Sequence, residues 1–372
     1  MGRNETAKWK RYGRWVLRVL GIVLVLGTLA SATDANQWWI RIWDFPRIQI
    51  FVLLVVAAIG LWFLDRPWRP WSTIVLGLVA AYHLYRIAAY TPLAPAEMGD
   101  IEGLAVEEEA CFSLLTLNVL QDNRQYDRTL ELIRREDPDL ILLTETDQAW
   151  IDALKPTLSE YPGRIERPLD NTYGIAFASR LPMSNASIQD FAQADTPSVL
   201  ATLQAGSNSF RMIGLHPRPP KPKQDTEERD AEIVIAATMT RDLQMPVLAL
   251  GDFNDVAWSD TTDLFRQIGR FLDPRVGRGT YATFPAGMVW LGWPLDHLFA
   301  TEEFLIDRME VGASVGSDHR PVLARMCLAP EQARTRNARP DEMDGEDAEE
   351  ADEVMREFED DTAKDAVEGE EG

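Results

Sequence analysis

The first 92 residues contain three long apolar runs, at about 15–32, 48–64 and 71–90. Each run approaches the roughly 20 residues that a helix needs to cross a bilayer. Tryptophans flank the runs, as they do where helices meet the membrane–water interface. The pattern predicts a membrane anchor over 1–92 with three transmembrane helices. A buried bundle of a soluble protein is the alternative, and a cleaved signal peptide would explain only the first run.

The pattern changes after a stretch over 93–109 that is rich in Pro, Ala and acidic residues, which we interpret as a linker. Short apolar runs bounded by turn residues follow, as is typical of buried strands. These runs are 112–120, 140–143, 174–177, 211–215, 247–250 and 322–326. Helical patterns lie between some of them, at 127–136 and 226–242. The alternation predicts one mixed α/β domain over 110–330.

The pattern changes again near residue 334, where the apolar runs stop and acidic residues dominate. Such a segment buries too little apolar surface to offset the entropy lost on ordering. We therefore expect 331–372 to be a disordered acidic tail. A short apolar group, Val354, Met355 and Phe358, would allow part of the tail to fold on a partner, which the sequence does not identify.

Charge divides the chain in the same way: the formal net charge is +7 over 1–92, −16 over 93–330 and −13 over 331–372. Positive residues of the first segment stand before the first apolar run and in the second loop, and such residues favour the cytoplasmic side. They are Arg3, Lys8, Lys10, Arg11, Arg14, Arg66 and Arg69. The chain is thus predicted to be a multi-pass protein of the cell (inner) membrane, with the lipid bilayer as a partner. Three crossings place the α/β domain outside, and loss of the third would reverse this.

Polar side chains follow several of the predicted strands directly. Asn118 follows residues 114–117 of the first run, and Glu145 follows the second run and Thr144. Asp252 and Asn254 follow the run at 247–250. A carboxylate there can orient or deprotonate a water molecule, and an amide can donate to a phosphate oxygen. Taken singly, each of these residues is more often a cap or turn residue.

The histidines are also placed at strand ends. His216, His297 and His319 are the three that lie outside the predicted membrane segments, and each stands beside Asp or Pro. Asp318 and His319 directly precede the last apolar run, and a carboxylate beside an imidazole is a plausible acid–base pair. Histidines on a surface without a function would be expected to scatter more widely.

Taken in order, these motifs resemble the endonuclease/exonuclease/phosphatase superfamily over residues 110–328, and in particular its membrane-anchored bacterial members. The motifs are Thr116-Leu117-Asn118, Thr144-Glu145, Ser179-Arg180, His216-Pro217, Gly251-Asp252-Phe253-Asn254, Leu295-Asp296-His297 and Ser317-Asp318-His319-Arg320-Pro321. The resemblance implies a four-layer α/β sandwich of two packed mixed β-sheets flanked by helices. Its active site would lie at one edge, between the sheets. The superfamily includes deoxyribonucleases, apurinic endonucleases and sphingomyelinases.

The resemblance also implies a metal site. Glu145 resembles the principal ligand of Mg²⁺, for which Mn²⁺ is the alternative, and Asn118 and Asp318 would complete or support the metal and phosphate site. Asp252 would position the attacking water.

Acid–base and phosphate-binding roles follow from the same resemblance. Asn254 and His216 would hold the phosphate, while His319, oriented by Asp296, would act as a general base or bind the phosphate. His297 follows Asp296 on a strand, so its side chain should point to the opposite face. We interpret His297 as structural.

The expected activity is hydrolysis of a phosphodiester or phosphomonoester, with a lipid-derived substrate favoured by the membrane anchor. The acidity of the domain disfavours a grip on duplex nucleic acid. One basic loop, 216–223, carries Arg218, which we assign to substrate binding, although a rigid solvated connector would have the same composition. An extracytoplasmic nuclease and a catalytically silent binding module that retains the fold are the two alternatives.

The chain has two cysteines, Cys111 and Cys327. In the family resembled, the strands that carry them are antiparallel neighbours, and the register would bring the two thiols within one residue of each other. A disulfide is one outcome, which an oxidising compartment would permit. Two reduced core cysteines are the other.

Overall fold

The computed structural model describes residues 3–33, 35–222 and 224–371. The helices of the described chain are α1 Arg3–Ser31, α2 Trp38–Arg41, α3 Arg47–Leu64, α4 Arg69–Ala88, α5 Tyr126–Glu136, α6 Gln148–Leu158, α7 Glu227–Arg241, α8 Asp260–Gly269, α9 Pro330–Arg336 and α10 Gly345–Glu371. The strands are β1 Cys111–Asn118, β2 Leu140–Thr144, β3 Gly163–Arg167, β4 Ile175–Ser179, β5 Met183–Asp190, β6 Pro197–Ala205, β7 Asn208–Leu215, β8 Val247–Asp252, β9 Asp296–Ala300, β10 Phe304–Val311 and β11 Val322–Leu328.

The strands form two mixed sheets. The first has the order β10-β11-β1-β2-β4-β3, and the second has the order β5-β6-β7-β8-β9. Only β1 with β2 and β7 with β8 pair in parallel, and each parallel pair lies inside its sheet. The remaining neighbours are antiparallel.

The core lies between the sheets because alternate residues of each strand point to opposite faces. Leu114 and Leu142 point inward and pack with Phe210 of the second sheet, whereas the adjacent Leu115 and Ile141 point outward. Helices α5 and α6 cover the outer face of the first sheet, and α7 and α8 cover that of the second. The prediction of two packed mixed sheets flanked by helices is confirmed.

Two helices of the described chain are long and apolar enough to cross a membrane, Glu5–Ser31 and Arg47–Leu64. Only 22% and 28% of their apolar windows are buried in the molecule, whereas the core helix of a soluble protein would be mostly buried. Helices of this kind occur as membrane spans and, near an N-terminus, as signal sequences. Helix α4 packs against α3 but does not meet the same hydropathy criterion, so the third span stays a prediction.

The far end of these helices is joined by an ion pair, in which the guanidinium of Arg18 donates to Asp65 over 2.6 and 2.7 Å. At the opposite end of the helix layer, the residues between α2 and α3 and the last turn of α4 contact the α/β domain. The indole of Trp258 donates to the carbonyl oxygen of Asp44, between α2 and α3, over 2.8 Å. Arg86, in the last turn of α4, donates to Asp260 over 2.6 Å. The connecting segment, residues 35–46, and the end of α4 therefore lie on the same side of the helix layer as the domain.

The stretch over 93–109 is irregular, as predicted, but it is packed rather than a loose linker. Met98 is fully buried in the core between the sheets. Glu97 accepts two hydrogen bonds from Arg266 at 2.7 and 2.6 Å. The apolar residues in this stretch are too few and too irregularly spaced to predict this packing from the sequence.

The described part of 331–372 also differs from the predicted disordered tail, because α9 and α10 are helical. Met343, Ala351, Val354 and Met355 pack against the hydrophobic cluster beneath α7 and α8. The apolar group seen in the sequence thus covers the domain of its own chain. This contact supplies the apolar burial that the acidic composition alone does not offer.

Cys111 and Cys327 form a disulfide. They are directly opposite each other in the antiparallel pair of β1 and β11. Of the two outcomes left open by the sequence, the structure has the bridged one.

Candidate active site

The candidate site lies at one edge of the sandwich, where both sheets present strand ends. Asn118 is the last residue of β1, and Glu145 directly follows β2, which pairs with β1 in parallel. In the second sheet, Asp252 ends β8 and is directly opposite Asp296, which begins the antiparallel β9. Because the ends of parallel strands and the starts of antiparallel neighbours meet at one edge, residues distant in sequence converge there.

Two backbone positions are constrained at this edge. Gly251 has φ +137, and a Cβ there would lie 2.1 Å from the carbonyl oxygen of Leu215 on the parallel neighbour. Glycine is therefore required for β7 and β8 to approach this closely. Glu145 has φ 61, a left-handed conformation that is uncommon outside glycine and often marks functional sites.

Asn118 links the two sheets through its side-chain amide. Its Nδ2 donates to Oε1 of Glu145 and to Oδ2 of Asp252, each over 2.9 Å. Its Oδ1 accepts from the backbone N–H of Leu120 over 2.9 Å, which fixes the orientation of the amide. The geometry therefore makes Asn118 a residue that positions two carboxylates.

Glu145 and Asp318 carry the excess negative charge of the site. Burial raises the pKa of Glu145, which the hydrogen bond from Asn118 opposes and the nearby charge of Asp252 reinforces. Burial also raises the pKa of Asp318, where His319 acts in the opposite direction. The charge of Glu145 also raises the pKa of Asp318, and a bound cation would relieve this repulsion.

The donor set fits a hard divalent cation on chemical grounds. The charges of Asp252, Asp296 and Asp318 act on the imidazole of His319, and the charge of that ring acts in turn on Glu145. Mg²⁺ and Mn²⁺ prefer oxygen ligands of this kind. The residues present are thus able to hold the cation that the sequence implied.

His319 is held by a buried carboxylate. Its Nδ1 lies 2.7 Å from Oδ2 of Asp296, so Nε2 is left on the other side of the ring, 3.6 Å from Oδ2 of Asp252. Burial alone would lower the pKa of His319, but the charges of Asp296 and Asp252 outweigh it and raise the pKa to about 10. The ring is therefore an imidazolium at neutral pH, able to donate to an anionic oxygen.

Asp252, Asp296 and His319 also offer atoms that lie within 4.8 Å of one another, a spacing open to a metal ion. Nδ1 of His319 is already within hydrogen-bond distance of Oδ2 of Asp296, which leaves Nε2 as the ring nitrogen free for a further contact. The carboxylates of Glu145 and Asp318 line the same cavity beside this trio.

His216 also lies beside the carboxylate of Asp252, but its ring is neutral where that of His319 is charged. Its Nε2 is 3.7 Å from Oδ2 of Asp252. Burial lowers the pKa of His216 to about 4, so the ring is neutral at pH 7. Asn254 is positioned by its own contacts: its backbone N–H donates to Oδ1 of Asp252 over 3.0 Å, and its Nδ2 donates to the carbonyl oxygen of Pro217 over 2.9 Å.

Seven of the predicted site residues line one cavity of about 490 Å³. They are Asn118, Glu145, His216, Asp252, Asn254, Asp318 and His319. Asp296 stands behind His319, to which it is hydrogen-bonded. Pro219, Pro220 and Lys221 of the basic loop 216–223 also line the cavity. The sequence did not predict the remaining lining residues, which are mainly aromatic and aliphatic. Among them are Tyr173, Phe284 and Trp293 of the domain and Trp38, Ile42 and Phe45 of the connecting segment.

Arg218 does not line this cavity. Its guanidinium donates to Oγ1 of Thr196 over 2.8 Å and to the carbonyl oxygen of Ala194 over 2.9 Å. It also lies over the ring of Tyr173, which does line the cavity, at 5.0 Å from the ring centroid. The structure thus gives Arg218 contacts that support the cavity wall, in place of the predicted contact with substrate.

His297 points away from the site, as its place next to Asp296 on a strand predicts. Its Nδ1 lies 2.8 Å from the guanidinium of Arg275, and its Nε2 lies 3.0 Å from the carbonyl oxygen of Asp255. Burial lowers its pKa well below the ordinary value. These contacts are those of a neutral core histidine.

Comparison with known proteins bears on this edge directly. Residues 115–319 match the model of the Endonuclease/Exonuclease/phosphatase family. The chain belongs to this family. The match begins three residues before Asn118 and ends at His319, so it spans every site residue that the sequence predicted. Members of the Endonuclease/Exonuclease/phosphatase family are hydrolases that act on phosphoester bonds, typically with a divalent metal.

Solved structures resemble the domain at low sequence identity. A humanized D. rerio TDP2 with 14 mutations is 15% identical, with a TM-score of 0.48, over 58% of this chain and 99% of that chain. The human Nocturnin catalytic domain is 16% identical, with a TM-score of 0.49, over 60% and 97%. An endonuclease/exonuclease/phosphatase from Bacteroides vulgatus is 18% identical, with a TM-score of 0.48, over 59% and 99%. No curated protein matches the chain.

Proposed function

We propose that this chain is a membrane-anchored phosphoesterase that depends on a divalent cation and hydrolyses a phosphodiester or phosphomonoester. The observation that carries the proposal is the convergence of three carboxylates, two amides and two imidazoles on one cavity. The catalytic domain of the proposal is 110–330, preceded by the anchor over 1–92.

In this proposal Glu145 and Asp318 hold Mg²⁺ or Mn²⁺, with Asn118 fixing the carboxylate of Glu145. When bound, the cation supplies Lewis-acid stabilisation of charge on the phosphoryl oxygens. Asp252 orients the attacking water and accepts its proton. It is suited to that role because its carboxylate is already fixed by Asn118 and Asn254.

The two histidines take different roles because their charge states differ. The imidazolium of His319 donates from Nε2 to a phosphoryl oxygen, and Asp296 keeps the ring oriented and charged. The neutral His216 donates to a second oxygen or to the leaving group. Donors aimed at charge that develops in the transition state lower its free energy.

The membrane part of the proposal has three spans, formed by α1, α3 and α4. The excess of positive residues before α1 favours a cytoplasmic N-terminus. The connecting segment would then be outside, and its contact with Trp258 argues that the catalytic domain is outside too. The Cys111–Cys327 disulfide also supports an extracytoplasmic domain, since such bonds persist mainly in oxidising compartments.

A lipid-derived substrate is favoured by the contact of the domain with the helix ends, which would bring the cavity close to the headgroups. An extracytoplasmic nuclease is the alternative activity. A silent binding module is disfavoured because each position that the proposed chemistry needs is filled by a residue able to perform it.

Purified full-length protein in detergent, given Mg²⁺ or Mn²⁺, tests these possibilities on phospholipids, sugar phosphates and DNA. Metal-dependent cleavage of a phospholipid supports the proposal as stated. Cleavage of DNA alone would support the alternative activity, an extracytoplasmic nuclease. If no substrate of the panel were cleaved, both enzymatic activities would be contradicted and the binding module would be the supported alternative.

A further inference from the structure

The connecting segment of the anchor forms part of the active-site cavity. Trp38 and Ile42 are four residues apart, the spacing at which side chains lie on one face of a helix, and both line the cavity together with Phe45. The neighbouring Trp39 does not line it. The cavity is therefore built from both the catalytic domain and the anchor.

Aromatic contacts join this segment to the catalytic histidine. The rings of Phe45 and Trp293 meet edge to face at 5.7 Å between centroids. Trp293 stacks on Phe284 at 6.1 Å, and Phe284 lies 4.9 Å from the ring of His319. We call Trp38, Ile42, Phe45, Phe284 and Trp293 the apolar wall. It runs without a break from the anchor to the reacting centre.

The apolar wall is continuous with the surface that would lie in the membrane. Phe45 lies two positions before Arg47, the first residue of α3, and α3 is one of the two apolar candidate spans of the described chain. The side chain of Gln49, in the first turn of α3, donates to the carbonyl oxygen of Leu291, in the loop between Phe284 and Trp293. In that loop Trp290 is 81% exposed, and Ile42 on the wall itself is 55% exposed. Exposed apolar groups beside an apolar helix mark a surface that contacts hydrocarbon.

We propose that the apolar wall binds the hydrocarbon chain of a membrane-resident phosphoester whose phosphate lies against His319 and the carboxylates. This inference rests on the proposed function, in which a lipid-derived substrate is favoured, and adds to it the residues that bind the hydrocarbon chain. The chain of such a lipid would pass from the bilayer along Trp38, Ile42 and Phe45. Its phosphate would meet the ring of His319 and the side chain of Lys221, which both line the cavity.

The wall favours hydrocarbon over nucleic acid for two reasons. Ile42 is aliphatic and offers no π-face for stacking a base, which is the main attraction of an aromatic groove for single strands. The segment 93–330 has a net charge of −16, which repels a polyanion much more than a lipid with one phosphate.

The test uses the full chain in detergent with Mg²⁺ and the soluble esters ethyl, hexyl and dodecyl p-nitrophenyl phosphate. The reacting group is the same in all three, so only the chain length varies. Burial of added methylenes should lower KM at least tenfold from the ethyl to the hexyl ester. Ile42→Ser and Trp38→Ala should each reduce this ratio to below about threefold.

Trp39→Ala is the matched control. It removes the adjacent, half-exposed tryptophan of the same helix and should keep the wild-type ratio. Ile42→Ser changes a largely exposed side chain, so a loss of folding would not explain its effect.

A binding measurement separates this inference from the proposed function. Calorimetry should show hexyl phosphate binding at least tenfold more tightly than inorganic phosphate, and Ile42→Ser should abolish the difference. Equal binding of the two would overturn the inference, whereas failure to hydrolyse any ester would overturn the proposed function. An oligonucleotide could instead inhibit hydrolysis of the ester more strongly than hexyl phosphate does. If Trp38→Ala removed that inhibition, the apolar wall would bind bases, and the inference would also be overturned.

Discussion

Nδ1 of His319 lies 2.7 Å from Oδ2 of Asp296, although the two residues come from different sheets. Asp296 begins a strand of the second sheet, and His319 precedes the last strand of the first. The hydrogen bond therefore fixes the ring of His319 across the interface between the sheets. It also accounts for the charge of that ring, because a buried carboxylate stabilises an imidazolium.

Asp296→Asn should keep the shape of this contact and remove its charge. We expect the pKa of His319 to fall and kcat to decrease by about 100-fold, within the range that a general acid–base residue contributes. The pKa is followed by NMR of the imidazole nitrogens, and kcat by release of p-nitrophenol. An unchanged titration of His319 in the variant would contradict the role given to Asp296.

Glu145→Gln should weaken the cation site. The variant keeps the size of the side chain but loses its charge, so the Mg²⁺ concentration for half-maximal activity should rise at least about tenfold. Glu160→Gln is the control, since it makes the same change at an exposed position after α6. Equal Mg²⁺ dependence in the two variants would show that Glu145 does not hold the cation.

His216 should destabilise the fold as pH falls. Its pKa is about 4 in the folded protein and about 6.5 when unfolded, so the unfolded chain takes up the proton first. Above about pH 6.5 the ring is neutral in both states, so His216 does not lower the free energy of unfolding. As pH falls from 6.5 towards 4, only the unfolded chain binds the proton, and the free energy of unfolding decreases.

His216→Asn has no imidazole to titrate and should not show this decrease in the free energy of unfolding. All other groups titrate in both proteins, so the difference in that free energy between wild type and variant isolates the effect of His216. Wild type should lose stability relative to the variant by an amount on the order of 3 kcal/mol between pH 7 and pH 4. Denaturant unfolding in detergent, followed by tryptophan fluorescence, gives the difference. A constant difference across this range would contradict a neutral His216.

The Cys111–Cys327 disulfide should stabilise the domain, because it closes a loop with a sequence separation of 216. Reduction typically costs about 2–4 kcal/mol. A reductant should therefore lower Tm of the wild type and leave that of the C111S/C327S variant unchanged. If the reductant shifted both proteins equally, the bond would not be the cause.

Much of the domain follows from local patterns. The strands β1, β2 and β8 were predicted close to their observed bounds, since buried strands have continuous apolar runs bounded by turns. Strand β5, whose sequence is largely polar and whose burial is partial, has no such run and was missed. Helix α6 was missed as well, and Pro156 within it disguises its helical pattern.

The residues of the candidate site also fall into those that the sequence predicted and those that it did not. Asn118, Glu145 and His319 were found because polar residues at strand ends are conspicuous beside apolar runs. Trp38 is one of the tryptophans that the sequence places at the membrane interface, and Phe45 has no predicted role. The place of both in the cavity depends on how the anchor packs on the domain. Composition does not encode such long-range packing, and the same holds for Val354 in the supposed tail.

The central claim is that this cavity hydrolyses phosphoester bonds with a divalent cation. The most direct measurement is the rate at which the full chain in detergent releases p-nitrophenol from bis(p-nitrophenyl) phosphate, with Mg²⁺ or Mn²⁺ and after chelation. Hydrolysis should require the cation and should fall at least about 100-fold in Glu145→Ala, Asp252→Ala and His319→Ala. Activity that survived unchanged in all three variants, or none in the wild type with either cation, would contradict it.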